Sequence, residues 1–542
     1  MKSFHRHPTS SPLTNLWRKR RRPAPSASPR RGGTARLALA ASIALVGAIL
    51  LAPAQSHAAI VWNGGVGNWS TAGNWTGGVP NASNADVQVD NGNAVNSTVS
   101  VDGFFTVGRL TISSGDTVGI NNAQQLTISD AGGFGSIINN GTLSINAGGS
   151  FTFLNISGNV SLSGSGTTVL GGAFAVITGS GRLTNSSTIN GQGNIGNNAV
   201  AVTNLAAGLI DANVNGALLT IDPPNIASAF LNQGTLRASS GGILQLTGNG
   251  GGAFDNTGGT ISALAGSEVR LVSSVSITGG TFTTTGSGVI AVFANDIASL
   301  GAFANSGSIV VRNNGTLNVS GAIANSGTIL IESSVNGTNL TLAGNVTLTG
   351  AGTTTLQNFA IIGGSGVLTN GSTIQGSSNN GFGLGVNAIG ILNQSGGLID
   401  ANVAGLSLYV TPNAANGLVN LGTMRASNTG VLVLNGIGSG SFTNTGGIIT
   451  ALAGSEVQLI NSAIVIGGTL STVGTGVIRN QNGQVATLNG VTNTGTFIGN
   501  DNSATFIAGT INNSGTITIN AGNSFTDLLL GANTRLFRFH NG

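Results

Sequence analysis

The sequence predicts an all-β fold in which short parallel strands wind into a β-helix, a solenoid of stacked coils. Three observations predict it. A short unit recurs along the chain, apolar residues alternate with period two inside that unit, and the composition is rich in turn formers and nearly free of charge. The 542 residues include 89 glycines and no cysteine, and only 6% are charged, against roughly 25% in ordinary soluble domains. Disordered chains are poor in β-branched residues and rich in charge. Here 40% of the residues are hydrophobic, with Val, Ile and Leu spread along the chain, so regular β-structure with many turns is the better reading.

The unit is Asn, one small residue, Gly, Thr, then an alternating apolar stretch. Asn139-Asn140-Gly141-Thr142-Leu143-Ser144-Ile145 and Asn325-Ser326-Gly327-Thr328-Ile329-Leu330-Ile331 are examples. Anchors at 232 and 256, at 305 and 325, at 370, 393, 420 and 444, and at 493 and 513 lie 20 to 27 residues apart. Asn and Gly tolerate the left-handed backbone of a tight corner. The Thr/Ile/Leu/Val stretch makes a short strand with one face in and one out. Such a unit cannot bury its apolar face alone, but stacked coils share a continuous core and set like residues in ladders. A hairpin sandwich would show strands in pairs about two-residue turns, and that pairing does not dominate.

A longer repeat lies above the short one. Leu264-Ala265-Gly266-Ser267-Glu268-Val269 returns as Leu452-Ala453-Gly454-Ser455-Glu456-Val457, a shift of 188. Leu209-Ile210-Asp211-Ala212 returns as Leu398-Ile399-Asp400-Ala401, a shift of 189. The unit at Asn139 reappears at Asn325 and at Asn513, so the chain holds about two full copies and the start of a third. The third fades after Ser524-Phe525-Thr526, and the closing Phe537-Arg538-Phe539-His540-Asn541-Gly542 carries no repeat. An open last coil exposes unpaired strand edges, so the expectation is an irregular end over 537–542 from a truncated or frameshifted gene product. The organisation expected is thus 1–58 leader, 59–110 Trp-rich cap, 111–536 β-helix repeats, and that end.

The leader accounts for the basic character of the whole chain. Residues 1–58 hold ten Lys/Arg and no acid, whereas residues 59–542 hold nine arginines against fifteen acids, a balance of −6. Arg18-Lys19-Arg20-Arg21-Arg22, the apolar run Leu37–Leu51 and Ser56-His57-Ala58 before Ala59 read as a secretory signal peptide. The apolar run is 15 residues long, short of the about 20 that a membrane helix needs. No second run is long enough to span, so no membrane span is expected in the mature chain. Its mild negative balance offers no field for phosphates, which argues against nucleic acid.

Trp62, Trp69 and Trp75 follow the cleavage site in Trp62-Asn63-Gly64-Gly65, Gly67-Asn68-Trp69 and Gly73-Asn74-Trp75, closed by Gly78-Val79-Pro80 and Asp86-Val87. Large aromatics bury much area and can plug a solenoid end; the rival is a platform for stacking sugars. This run and the repeats after it resemble large bacterial surface proteins: autotransporter passengers with β-strand repeats, and exported proteobacterial proteins with a C-terminal sorting tail. The resemblance implies export to the cell surface or outer membrane, a right-handed parallel β-helix and adhesin roles. The chain departs from it in showing neither a region long enough for an outer-membrane barrel nor a Pro-Glu-Pro sorting motif.

Catalytic equipment is sparse. His5, His7, His57 and His540 all lie outside the repeats, so the body offers no histidine triad or histidine metal site. Paired carboxylates can serve a glycosidase; the candidates are Asp211, Asp222, Asp255 and Glu268, then Asp400 and Glu456. Asp211 matches Asp400 and Glu268 matches Glu456, and recurrence points to a turn or surface role in each copy. Gly250-Gly251-Gly252 reads as a turn, because no Lys follows to complete a phosphate cradle. No catalytic, cofactor or metal site is expected. The expected function is that of a structural or adhesive protein, secreted or on the cell surface, which meets host or matrix glycans or other cells through repeated weak contacts. The alternatives are a polysaccharide-acting β-helix enzyme and an inactive passenger fragment.

Overall fold

The computed structural model describes residues 58–531 except 90–94, 134 and 380, together with the backbone of 535–538. The leader up to residue 57 and the four histidines lie outside these residues. The described chain is a parallel β-solenoid of about 20 turns. Parallel pairing joins each strand segment to the one three segments later, so the coil has three faces. Face A begins with Ile60–Val61, Asp86–Val89, Arg109–Ile112 and Ser136–Asn139. Face B begins with Val66–Asn68, Thr98–Val101, Thr117–Ile120 and Thr142–Ile145. Face C begins with Phe104–Val107, Gln125–Ser129 and Thr152–Ser157. Parallel pairing therefore starts inside segment 59–110. At the other end Arg535–Arg538 still pairs with Thr510–Asn513, so the last strand straddles the 536/537 boundary drawn from the sequence.

Period-two alternation decides what fills the coil. Leu110 and Ile112, Val118 and Ile120, and Leu126 and Ile128 point inward and are fully buried, and their counterparts continue as one hydrophobic column. Turn length and strand length both vary from coil to coil. Successive coils advance by as few as 18 residues (Val176 to Asn194) and as many as 32 (Val66 to Thr98).

The signature asparagines have a different role from the one their sequence suggests. None of Asn139, Asn185, Asn204, Asn232, Asn325 or Asn393 has a positive φ. They sit at inward positions, fully buried or nearly so. Asn185 Nδ2 donates to Asn204 Oδ1 at 2.8 Å, Asn204 to Asn232 at 2.8 Å and Asn232 to Asn256 at 2.6 Å. In the second copy Asn370, Asn393, Asn420 and Asn444 form the same chain at 2.8, 2.7 and 2.7 Å. A buried amide is stable where its donors and acceptor are satisfied, and stacking supplies both. The left-handed corners fall to other residues, Asn197, Asn387 and Asn461 among them. The glycine of the unit is also not left-handed at 141, 327 or 515. It is needed because coils touch there: a Cβ on Gly327 would meet Gly307 O at 2.1 Å, and one on Gly515 would meet Gly495 O at 2.1 Å.

The long repeat does not close on a whole number of coils. Four strands, Thr167–Gly179, Thr188–Ile195, Thr316–Asn325 and Thr338–Thr349, each run unbroken round a corner and serve two faces. With each counted once per face, Asn325 lies 25 strand segments beyond Asn139, and Asn513 lies 25 beyond Asn325. Eight coils of three would be 24. Each copy therefore starts one face further round: Asn139 is on face A, Asn325 on face B and Asn513 on face C. The buried Asn chain moves likewise, from face A at 185–256 to face B at 370–444.

Candidate functional site: a notch on the edge between two faces

The carboxylates singled out in the sequence do not gather. Asp255 is on face A, Asp211 on face B and Glu268 on face C. Asp211 is buried in a strand, where Arg237 of the next coil pairs with it at 2.6 Å and Ser239 Oγ donates to it at 2.9 Å. Arg425 and Ser427 hold Asp400 in the same way on face C. Glu268 pairs with Arg270 at 2.8 Å and with Arg312 at 3.3 Å, and Glu456 pairs with Arg479 at 3.0 Å. The recurring carboxylates thus stand on strands and not in turns, and arginines hold them, in all but the Arg270 pair from another coil. Asp222 is buried, and desolvation raises its pKa; Thr411 holds its place in the second copy. Asp501, near the described end, accepts backbone N–H bonds from Gly522 and Ser524, which lower its pKa. Among the described residues no group of three or more His, Asp or Glu could hold a metal ion. Gly250 and Gly251 form a tight turn with positive φ.

The tryptophans present no free ring face. Trp62, Trp69 and Trp75 are at most 4% exposed. Trp75 lies edge-on to both others at 4.8 Å, and Trp69 also meets Phe105 at 5.9 Å. Each indole N–H is satisfied by a carbonyl: Gly65 for Trp62, Pro80 for Trp69 and Trp69 for Trp75.

The surface feature that does have the shape of a site was not foreseen from the sequence. Two consecutive coils, Thr167–Gly179 and Thr188–Ile195, turn the corner from face B to face C without a loop. The coils below and above carry loops there, at 146–151 and 213–217. The missing loops leave a notch about two coils tall with a cavity of about 510 Å³, within the range of small-ligand sites. Glycine lets the coils close up at this corner, since a Cβ on Gly172 would meet Ala147 O at 2.2 Å and one on Gly193, which lines the notch, would meet Ala175 O at 2.3 Å. Phe151 forms one wall, 57% exposed, held edge-on to Phe174 at 5.1 Å and stacked on Phe153 at 6.1 Å. Leu218, 40% exposed, forms the other. Gln192, Asn194 and Thr220 supply polar groups between them, and no ionisable side chain lines the space. The sequence signal was available: Phe151 and Phe174 stand where the second copy has Gly337 and Phe359.

No protein-family model matches the chain, and no curated protein matches it in sequence.

Proposed function

We propose that this protein is an exported rod, secreted or held at the cell surface, that adheres through many weak contacts made all round its axis. The leader over 1–58 supports export. The observation that carries the adhesive reading is the one-face step between copies. Equivalent surfaces are turned by a third of a revolution and lie about 40 Å apart along the axis, at ~4.8 Å per coil. A rod lying flat on a surface would offer only one version of each patch. A rod projecting among extended polymers, such as matrix glycans, or between cells offers them all, and weak contacts then add as avidity.

Charge has little part in this reading. Arg109, Arg237, Arg270, Arg312, Arg425 and Arg479 are all engaged in ion pairs within the rod. Attachment should therefore rest on hydrogen bonds and apolar contact, and raising the salt, which screens exposed charges, should change it little. The test uses beads coated with the purified mature chain, together with producing cells that lack it. The coated beads should hold cells, matrix or polysaccharide at low and high salt alike, and the cells should lose attachment and biofilm. Beads that hold none of these, with attachment unchanged in the cells, would overturn the proposal.

A further inference from the structure

We infer that the notch between faces B and C is a binding site for one pyranose unit of a neutral oligosaccharide. The inference rests on the adhesive reading and gives it one defined contact. A pyranose has an apolar C–H face and a rim of hydroxyls. The notch offers a half-exposed ring at Phe151 and the Leu218 side chain for the face. Gln192, Asn194 and Thr220 can donate to and accept from the rim. The lining carries no charge to complement a sulfate, a uronate or a phosphate, and a neutral ligand leaves no buried charge unpaired.

The second copy keeps a ring where the first has Phe151. There the segment from Ile374 to Gly385 is four residues longer than its counterpart from Ile189 to Gly196. It carries Phe382, which lies edge-on to Phe359 at 5.1 Å and over Gly337, the counterpart of Phe151. The Phe382 ring thus takes the place of the Phe151 ring, with the same edge-on packing on the counterpart of Phe174. A phenyl wall is thus present at this corner in both copies, supplied by different residues, and in the first copy it faces the Gln192 and Asn194 amides and the Leu218 side chain that a sugar needs.

The test titrates the purified mature chain with neutral tetrasaccharides of glucose, mannose, galactose and N-acetylglucosamine, and with sulfated and uronic acid-containing ones, by ligand-observed NMR and calorimetry. At least one neutral sugar should bind saturably and the charged ones should not. Phe151→Ala and Gln192→Glu should each weaken that binding about tenfold, a change of about 1.4 kcal/mol. The unfolding midpoint should stay put, because both side chains are on the surface. Phe104→Ala, which removes an exposed ring elsewhere on face C, should change nothing. Preference for a charged sugar, or binding indifferent to both notch substitutions, would overturn the assignment. So would dimerisation of the chain that Phe151→Ala abolishes, which would give the notch to a second copy. If beads coated with Phe151→Ala protein adhere as well as wild type, the notch assignment fails and the adhesive reading stands. If wild-type beads do not adhere and no sugar binds, both fail.

Discussion

Replacing Asn393 with alanine is expected to destabilise the middle of the solenoid by about 3–5 kcal/mol, at about 1–3 kcal/mol for each buried polar group left unsatisfied. Asn393 accepts from Asn370 Nδ2 at 2.8 Å and donates to Asn420 Oδ1 at 2.7 Å. Its Nδ2 also reaches the Gly397 and Thr423 carbonyls at 3.2 Å. Alanine strands a donor below and an acceptor above, where water cannot reach either. Asn393→Asp should be nearly as harmful near neutral pH, because a carboxylate accepts from Asn370 but has no proton for Asn420. Thr443→Ala, at an outward position, should stay within about 0.5 kcal/mol. Amide exchange resolved along the chain is the appropriate readout, since coils couple to their neighbours and a single global midpoint averages over them. Protection should fall in the coils around 370, 393 and 420 for the two Asn393 variants and hold for the threonine variant.

Trp69→Ala is expected to have a cost of similar size, about 3–5 kcal/mol for a large buried aromatic, but confined to the first coils. Trp69 is fully buried between Trp75 and Phe105, and its N–H donates to Pro80 O at 3.0 Å. Its loss opens a cavity and frees a carbonyl where there is no earlier described coil to help. The strands Asp86–Val89 and Thr98–Val101 should lose exchange protection and become sensitive to protease, while those beyond Thr142 should keep theirs. Trp69→Phe should recover most of the loss, because the ring packing returns and only the hydrogen bond does not. An effect spread evenly to the far end would mean that the rod unfolds as one unit, contrary to nearest-neighbour coupling.

Much of the fold was legible because its period is short. Strands such as Thr142–Ile145 and Thr328–Ile331 follow directly from the alternating stretch after each Asn-x-Gly. That Trp62, Trp69 and Trp75 bury their rings was legible in their size. What the chain could not disclose is where each coil begins. Asn393 looks like a corner residue because Asn is common in left-handed turns, and only stacking reveals that it points inward at a partner 27 residues away. The glycine of the unit misleads in the same way, since the reason for it at 327 lies in the Gly307 carbonyl of the coil below. The 188-residue repeat was plain in the sequence, but its one-face step depends on counting strands, and four of them turn corners unannounced. The notch is hard to read for the same reason: it is made by two absent loops, and its one trace, Phe151 against Gly337, shows only when the two copies are aligned. The carboxylates recur as the sequence shows, but apart from Arg270, two residues along from Glu268, their arginine partners come from other coils, as with Asp211 and Arg237.

The one-face step is the claim on which the functional reading turns, and it depends on face B running unbroken through the start of the second copy. There Ala322 is in register with Thr347, and Thr347 with Thr369. The chain has no cysteine, so paired cysteines can be introduced without competition. Strand neighbours lie about 4.8 Å apart, within reach of a disulfide. The direct measurement is disulfide formation in two double variants, Ala322→Cys with Thr347→Cys and Thr347→Cys with Thr369→Cys. Thr184→Cys with Thr203→Cys, in register on face A of the first copy, serves as the reference. Bridging in all three at similar rates is the result expected. Bridging in the reference pair but in neither junction pair would contradict the step, and with it the display of equivalent surfaces in three directions.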